Sequence, residues 1–145
     1  MRVPAGAYCL LAGTTVKGNV TVLRGATLVA GGVHIRGSVQ AQRAKSISVI
    51  VESEIGGNVR VESSARAVVT ASRVDGGIRL GSNRGPVNVA RSRVKGDVEL
   101  VSNVGRSAVT RNNIGGNLRC TANRPPPTGG GNRVDGKRRG QCTTL

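Results

Sequence analysis

The residues able to do acid–base chemistry in this chain are few: Glu52, Glu54, Glu62, Asp75, Asp97, Glu99, Asp135 and a single histidine, His34. Cleaving a polysaccharide takes two carboxyl groups held about 5–10 Å apart, and a calcium site takes about six to eight oxygen ligands. Thiol chemistry has three candidates, Cys9, Cys120 and Cys142. They are too scattered for a zinc site, and His34 has no second histidine to pair with. Neither a nucleophile elbow nor a phosphate-binding loop occurs. Positive charge, by contrast, is abundant: 22 Lys and Arg against seven acids give a formal +15. Attraction to polyanions is therefore the one chemistry available in bulk.

What positions these groups is a repeat. The segments "TVKGNVTV", "HIRGSVQA", "EIGGNVRV", "RVDGGIRL", "RVKGDVEL", "NIGGNLRC" and "RVDGKRRG" share a frame built on Gly18, Gly37, Gly57, Gly76, Gly96, Gly116 and Gly136. Successive gaps are 19, 20, 19, 20, 20 and 20 residues, the signature of a solenoid. The period is too short for two-helix repeats, which take more than about thirty residues each. Val16, Gly18, Val20 and Val22 alternate with other residues, as do Ile55, Gly57, Val59 and Val61, which predicts a strand through each frame. A weaker second strand follows roughly ten residues on, at Ile47 and Val49, Val87 and Val89, Ser107 and Val109. Gly, Asn, Ser and Arg between them suit turns.

The expected fold is thus all-β: a single-domain parallel β-helix, or β-solenoid, with about 20 residues and two strands per coil. Right-handed winding is favoured, since parallel crossovers are biased that way and the six-residue repeat of left-handed coils is missing. At about 4.8 Å per coil, seven coils make a rod of roughly 30 Å. Residues 1–120 form the coils, and 121–145 a Pro- and Gly-rich terminal coil and cap. With one Tyr and no Phe or Trp, the interior must be aliphatic, and Val20, Val39, Val59, Ile78, Val98 and Leu118 are placed inside. The frame glycines mark either a bend where the interior narrows or ordinary turns. Asn83, Asn103 and Asn123 share one column, and Ser53, Ser72, Ser92, Asn112 and Asn132 another. Both columns read as axial hydrogen-bond ladders.

In this frame the acids do not gather. Asp75 and Asp135 share a column but stand three coils apart, roughly 14 Å. Glu52 and Glu54 lack acidic neighbours in adjacent coils, so the chain reads as a non-enzyme with no cofactor and no metal. The arginines do show order. Arg60, Arg79, Arg119 and Arg139 share a column three residues after the frame glycine, and Arg73, Arg93 and Arg133 one three residues before it. Such stripes suit teichoic acid, acidic polysaccharide or DNA, or simply keep a β-rich surface soluble. Lacking Phe and Trp, the chain has little with which to stack on bases or sugars. Regular Thr-x-Thr ladders, which ice binding would want, are also missing.

Cys120 and Cys142 occupy neighbouring coils at nearly the same angular position, which predicts a disulfide pinning the loose tail and an oxidising compartment. Cys9 is left over. No segment approaches the eighteen or so apolar residues of a membrane-spanning helix. The opening "MRVPAGAYCLLAG" is too short in its apolar stretch for a secretory signal and reads as a first strand without cover. Leu10 and Leu11 in it are the candidate self-association residues.

The run "GTTVKGNVTV", the segment "GGNLRC" and the tail "RPPPTGGGNRVDGKRRGQC" resemble a group of secreted repeat proteins of actinobacteria and related high-GC bacteria. That group brings no activity to carry over. Its members tend to have a further cysteine upstream of the one matching Cys9, so this chain looks like a trimmed or shortened member. The aliphatic-x-Gly-x-aliphatic coils are more loosely similar to bactofilins, which are β-helical and polymer-forming. The expectation is an extracellular or cell-surface structural solenoid whose main partner is itself, in a fibre, coat or matrix. The alternative is a basic module for acidic polymers.

Overall fold

Valine and isoleucine at every second position leave the chain few choices besides strands, and the computed structural model, which describes residues 1–145, contains no helix. Three parallel sheets run along it. Sheet A holds β1 (Arg2–Val3), β4 (Val20–Val22), β7 (Val39–Gln42), β10 (Val59–Glu62), β13 (Ile78–Gly81), β16 (Val98–Val101), β19 (Leu118–Thr121) and β22 (Arg138–Gly140). Sheet B holds β2 (Tyr8–Ala12), β5 (Thr27–Gly31), β8 (Ser46–Ile50), β11 (Ala67–Thr70), β14 (Val87–Ala90), β17 (Ser107–Thr110) and β20 (Thr128–Gly130). Sheet C holds the two-residue strands β3 (Thr15–Val16), β6 (His34–Ile35), β9 (Glu54–Ile55), β12 (Arg73–Val74), β15 (Arg93–Val94), β18 (Asn113–Ile114) and β21 (Arg133–Val134). Each turn of the solenoid visits A, B and C and returns to A one strand further on. No helix is long and apolar enough to cross a membrane.

The coil has three sides where two strands were expected. Val16 and Val20, read as one strand, lie in different sheets with the Lys17–Gly18–Asn19 corner between them. The misreading has a physical cause. A three-residue corner returns the chain with its inward phase unchanged, so the alternation runs straight through the bend.

Stacked aliphatic columns fill the interior. Val20, Val39, Val59, Ile78, Val98 and Leu118 follow one another in register and are at most 2 % exposed. Facing them are Leu28, Ile47, Ala67 and Val87 from sheet B, and Ile35, Ile55, Val74, Val94 and Ile114 from sheet C, all buried. Burying each larger side chain contributes about 1.5–3 kcal/mol relative to exposure. One position breaks the pattern. Ser107 continues the Ala67–Val87 column, and its buried Oγ has no hydrogen-bond partner. Ser107→Ala removes that orphan hydroxyl, and Ala67 shows that alanine fits the column. A gain of about 1 kcal/mol is expected, read as a melting-temperature rise of roughly 3 °C.

The frame glycines stand where sheet C turns into sheet A. From Gly37 to Gly136, each donates its N–H to the frame-glycine carbonyl of the preceding coil, at 2.9–3.1 Å. A Cβ on Gly37 would lie 2.7 Å from the Gly18 carbonyl oxygen and would also meet Asn19 Oδ1. These positions need glycine for close axial approach. None of the seven has a positive φ. The left-handed corners are instead filled by other residues, among them Arg43, Ser63, Ser82, Ser102 and Ala122 after sheet A and Ala71, Arg91 and Arg111 after sheet B.

The asparagine ladder forms whole, and the second runs from Ser72 to Asn132, while Ser53 Oγ accepts from Val33 N and is not linked to Ser72 by a side-chain bond. Asn103 Oδ1 accepts from Asn83 N and Nδ2, at 3.0 and 2.9 Å, and Asn123 Oδ1 accepts the same pair from Asn103 at 3.0 and 2.9 Å. On the other side Ser72 N donates to Ser92 Oγ, Ser92 N to Asn112 Oδ1 and Asn112 N to Asn132 Oδ1. A third ladder runs along the glycine corner and is solvent-exposed. There Ser38 N donates to Asn19 Oδ1, Asn58 N to Ser38 Oγ, Gly77 N to Asn58 Oδ1 and Asn117 N to Asp97 Oδ1. Of 98 backbone–backbone hydrogen bonds, 54 lie outside strand pairings, and most of these link one coil to the next.

The carboxyl-terminal end is closed. Cys120 and Cys142 form a disulfide with Cα atoms 5.3 Å apart, and Cys9 is a free, half-buried thiol. Gln141 Oε1 accepts from Asn123 N and Nδ2, which terminates the asparagine ladder. Arg138 stands in the aliphatic column after Leu118 and reaches across the end of the rod, donating to the Asn132 and Leu145 carbonyls at 2.8 Å each.

Candidate functional site

Built up from its elements, the surface holds no gathering of acids, because the carboxylates are spread along the rod, some paired between coils and some within one. Asp97 serves the glycine-corner ladder. Glu62 pairs with Arg60 at 3.0 Å and Arg79 at 3.4 Å, and Glu99 pairs with Arg79 at 3.0 Å. Asp75 pairs with Arg73 at 3.2 Å and Lys95 at 3.5 Å, and Asp135 lies 3.9 Å from Arg133. Glu54 meets His34 Nδ1 at 3.0 Å, a partnership the sequence offered through their shared column and which reading Glu54 beside Glu52 overlooked. Only Glu52, in a left-handed corner, makes neither an ion pair nor a side-chain hydrogen bond. Three or more His, Cys, Asp or Glu side chains nowhere come together as a group able to hold a metal.

The arginine columns lie where the sequence put them, in the outward rows of sheets A and C. Arg60, Arg79, Arg73 and Arg133 are paired with acids, whereas Arg93, Arg119 and Arg139 are free of them. Exposed pairs of this kind contribute about 0–1 kcal/mol each to stability, so their larger effect is to flatten the positive potential locally. The flattening is confined to the middle of the chain. Residues 52–99 carry eight Lys and Arg with six acids, residues 1–51 carry six with none, and residues 100–145 carry eight with one. The rod is therefore strongly basic towards both ends and nearly neutral between. A groove on the sheet A side is lined by Arg24, Arg43, Arg60, Gln40, Gln42 and Glu62, among others, three cations to one acid.

Leu10 and Leu11 prove to be different kinds of residue. Leu10 projects outward from β2 and is 61 % exposed, while Leu11 points inward and packs, half-buried, against the core. β2 is the edge strand of sheet B.

No protein-family model, curated protein or solved structure matches this chain. Its class therefore rests on its own architecture: a three-sided parallel β-solenoid of about seven 20-residue turns. The Cys120–Cys142 disulfide fits an oxidising compartment.

Proposed function

We propose that this protein is a non-enzymatic, extracellular or cell-surface structural solenoid that assembles with copies of itself into a fibre, coat or matrix. One observation carries this reading: all three corner ladders tie one coil to the next, and so do four of the seven ion pairs. The polar chemistry of the chain thus goes into axial continuity. Support for assembly comes from β2, an edge strand whose outward Tyr8 and Leu10 are 68 % and 61 % exposed. Edge strands are templates for further pairing. Opposing assembly is the +15 charge, concentrated at the ends, so added salt should favour it. Electron microscopy of concentrated protein in high salt should show fibres, sheets or bundles. Fields holding nothing beyond single short rods would refute the reading.

A second reading has its own observation. Arg93, Arg119 and Arg139 are unpaired, and the Arg24–Arg43–Arg60 groove adds a concave basic surface, which together suit acidic polymers of the teichoic-acid, acidic-polysaccharide or DNA kind. Binding of that sort weakens steeply with salt, whereas self-assembly strengthens, so one salt series separates the two.

A further inference from the structure

We infer that the outer face of sheet B is where two copies of this chain meet side by side, sheet against sheet. The inference rests on the assembling reading above and names its surface. None of the seven strands of sheet B contains a charged residue, although the strands of sheets A and C carry charges in most turns. Along the middle of its outer face, Leu10, Val29, Ser48, Val68, Asn88 and Ala108 follow one another in register. Beside that row lie Ile50, Thr70, Ala90 and Thr110. The exposed large hydrophobics concentrate here too. Tyr8 and Leu10 project from the face, and Val51 borders it immediately after Ile50. Met1, at the chain start, and Val104, in the connection from sheet A where it pairs with Arg124, lie apart from it. Val51 also holds a φ of +51°, a conformation unfavourable for a β-branched residue, and does so with 62 % of its surface exposed.

Charge selects the occupant. An acidic partner would be drawn to the arginine rows of sheets A and C. A second copy, equally basic, is repelled from those rows and can approach closely only over the middle of sheet B, whose nearest charges, Arg66, Arg91, Arg106 and Arg111 among them, stand at its flanks. A flat parallel sheet of small and β-branched residues is also suited to packing against another such sheet at about 10 Å. Seven strands at about 4.8 Å, each three to five residues long at about 3.3 Å, give roughly 500 Å² per copy. The resulting total of about 1,000 Å² sits at the lower bound for specific interfaces and fits a weak pairing that screening of the basic flanks would strengthen.

Val68 lies on β11, the fourth of the seven strands, so it falls near a two-fold axis whether the rods align parallel or antiparallel. In a Cys9→Ala background, Val68→Cys should form covalent dimers under mild oxidation, with a yield that rises with salt. Gln40→Cys, on the outer face of sheet A, should not. Val68→Lys with Ala108→Lys should weaken salt-induced association at least tenfold while leaving the circular dichroism spectrum unchanged. If the wild type associates but Val68→Cys fails to cross-link, or the double lysine variant associates normally, the face is overturned and the assembling reading stands. If the wild type stays monomeric and nothing cross-links, both fall.

Discussion

Ile78→Asp is expected to abolish folding. Ile78 is 2 % exposed and sits in register between Val59 and Val98, so the new carboxylate would face a column of methyl groups with no donor in reach. An unpaired buried charge costs several kcal/mol, and the lost aliphatic packing about 2–4 kcal/mol more, against a total stability of about 5–15 kcal/mol for a typical domain. The damage is not confined to one coil, because every strand but those at the edges has a neighbour on both sides. Gln40→Asp is the control: Gln40 is exposed on the outer face of the same sheet and should tolerate the change. Circular dichroism and solubility after expression give the readout. A soluble Ile78→Asp protein with the wild-type β spectrum would mean that the register is wrong.

Asn103→Ala should be the most damaging substitution among the polar residues. Its amide donates to the Leu80 carbonyl at 3.0 Å and to Asn123 Oδ1 at 2.9 Å, while its Oδ1 receives two hydrogen bonds from Asn83. Truncation strands several of these groups where water does not reach. At about 1–3 kcal/mol for each unsatisfied group, a loss of about 3–5 kcal/mol is expected, or roughly 10 °C in melting temperature. Asn103→Ser should recover part of it, since Ser64 fills the equivalent place earlier in the column and accepts the Ala44 N–H at 3.0 Å. Thermal denaturation of the two variants beside the wild type measures this. Equal melting temperatures for Asn103→Ala and wild type would show that the ladder does not hold the coils together.

Most of the fold was legible because the chain writes its period twenty residues at a time. Gly37, Gly57, Gly76 and their relatives fixed the register, and register alone placed Val59 beneath Ile78, Asn83 beside Asn103 and Cys120 near Cys142. The third side of the coil was not legible, since the Lys17–Gly18–Asn19 corner preserves the inward alternation across a change of sheet. The glycine-corner ladder escaped notice for a related reason. Asn19, Ser38, Asn58, Asp97 and Asn117 vary in type while sharing one role, to offer an oxygen to the next coil's backbone. The surface was the least legible part. Composition gave a net +15, but only the register showed Glu62 and Glu99 interleaved among the sheet A arginines. Only the strand boundaries showed that the strands of one whole sheet hold no charge, with Arg66, Arg91, Arg106 and Arg111 just beyond their ends. Arg138, in an aliphatic column, looked like part of a charged tail and instead closes the end of the core.

Self-association is the central claim, and small-angle X-ray scattering across a salt series tests it most directly. Raising salt from about 20 mM to about 500 mM shortens the screening length from roughly 20 Å to roughly 4 Å, which removes most of the repulsion between two basic rods. The forward scattering per unit concentration should at least double over that range, with the cross-section growing more than the length. Forward scattering that stays at the single-chain value at every salt concentration would contradict the account.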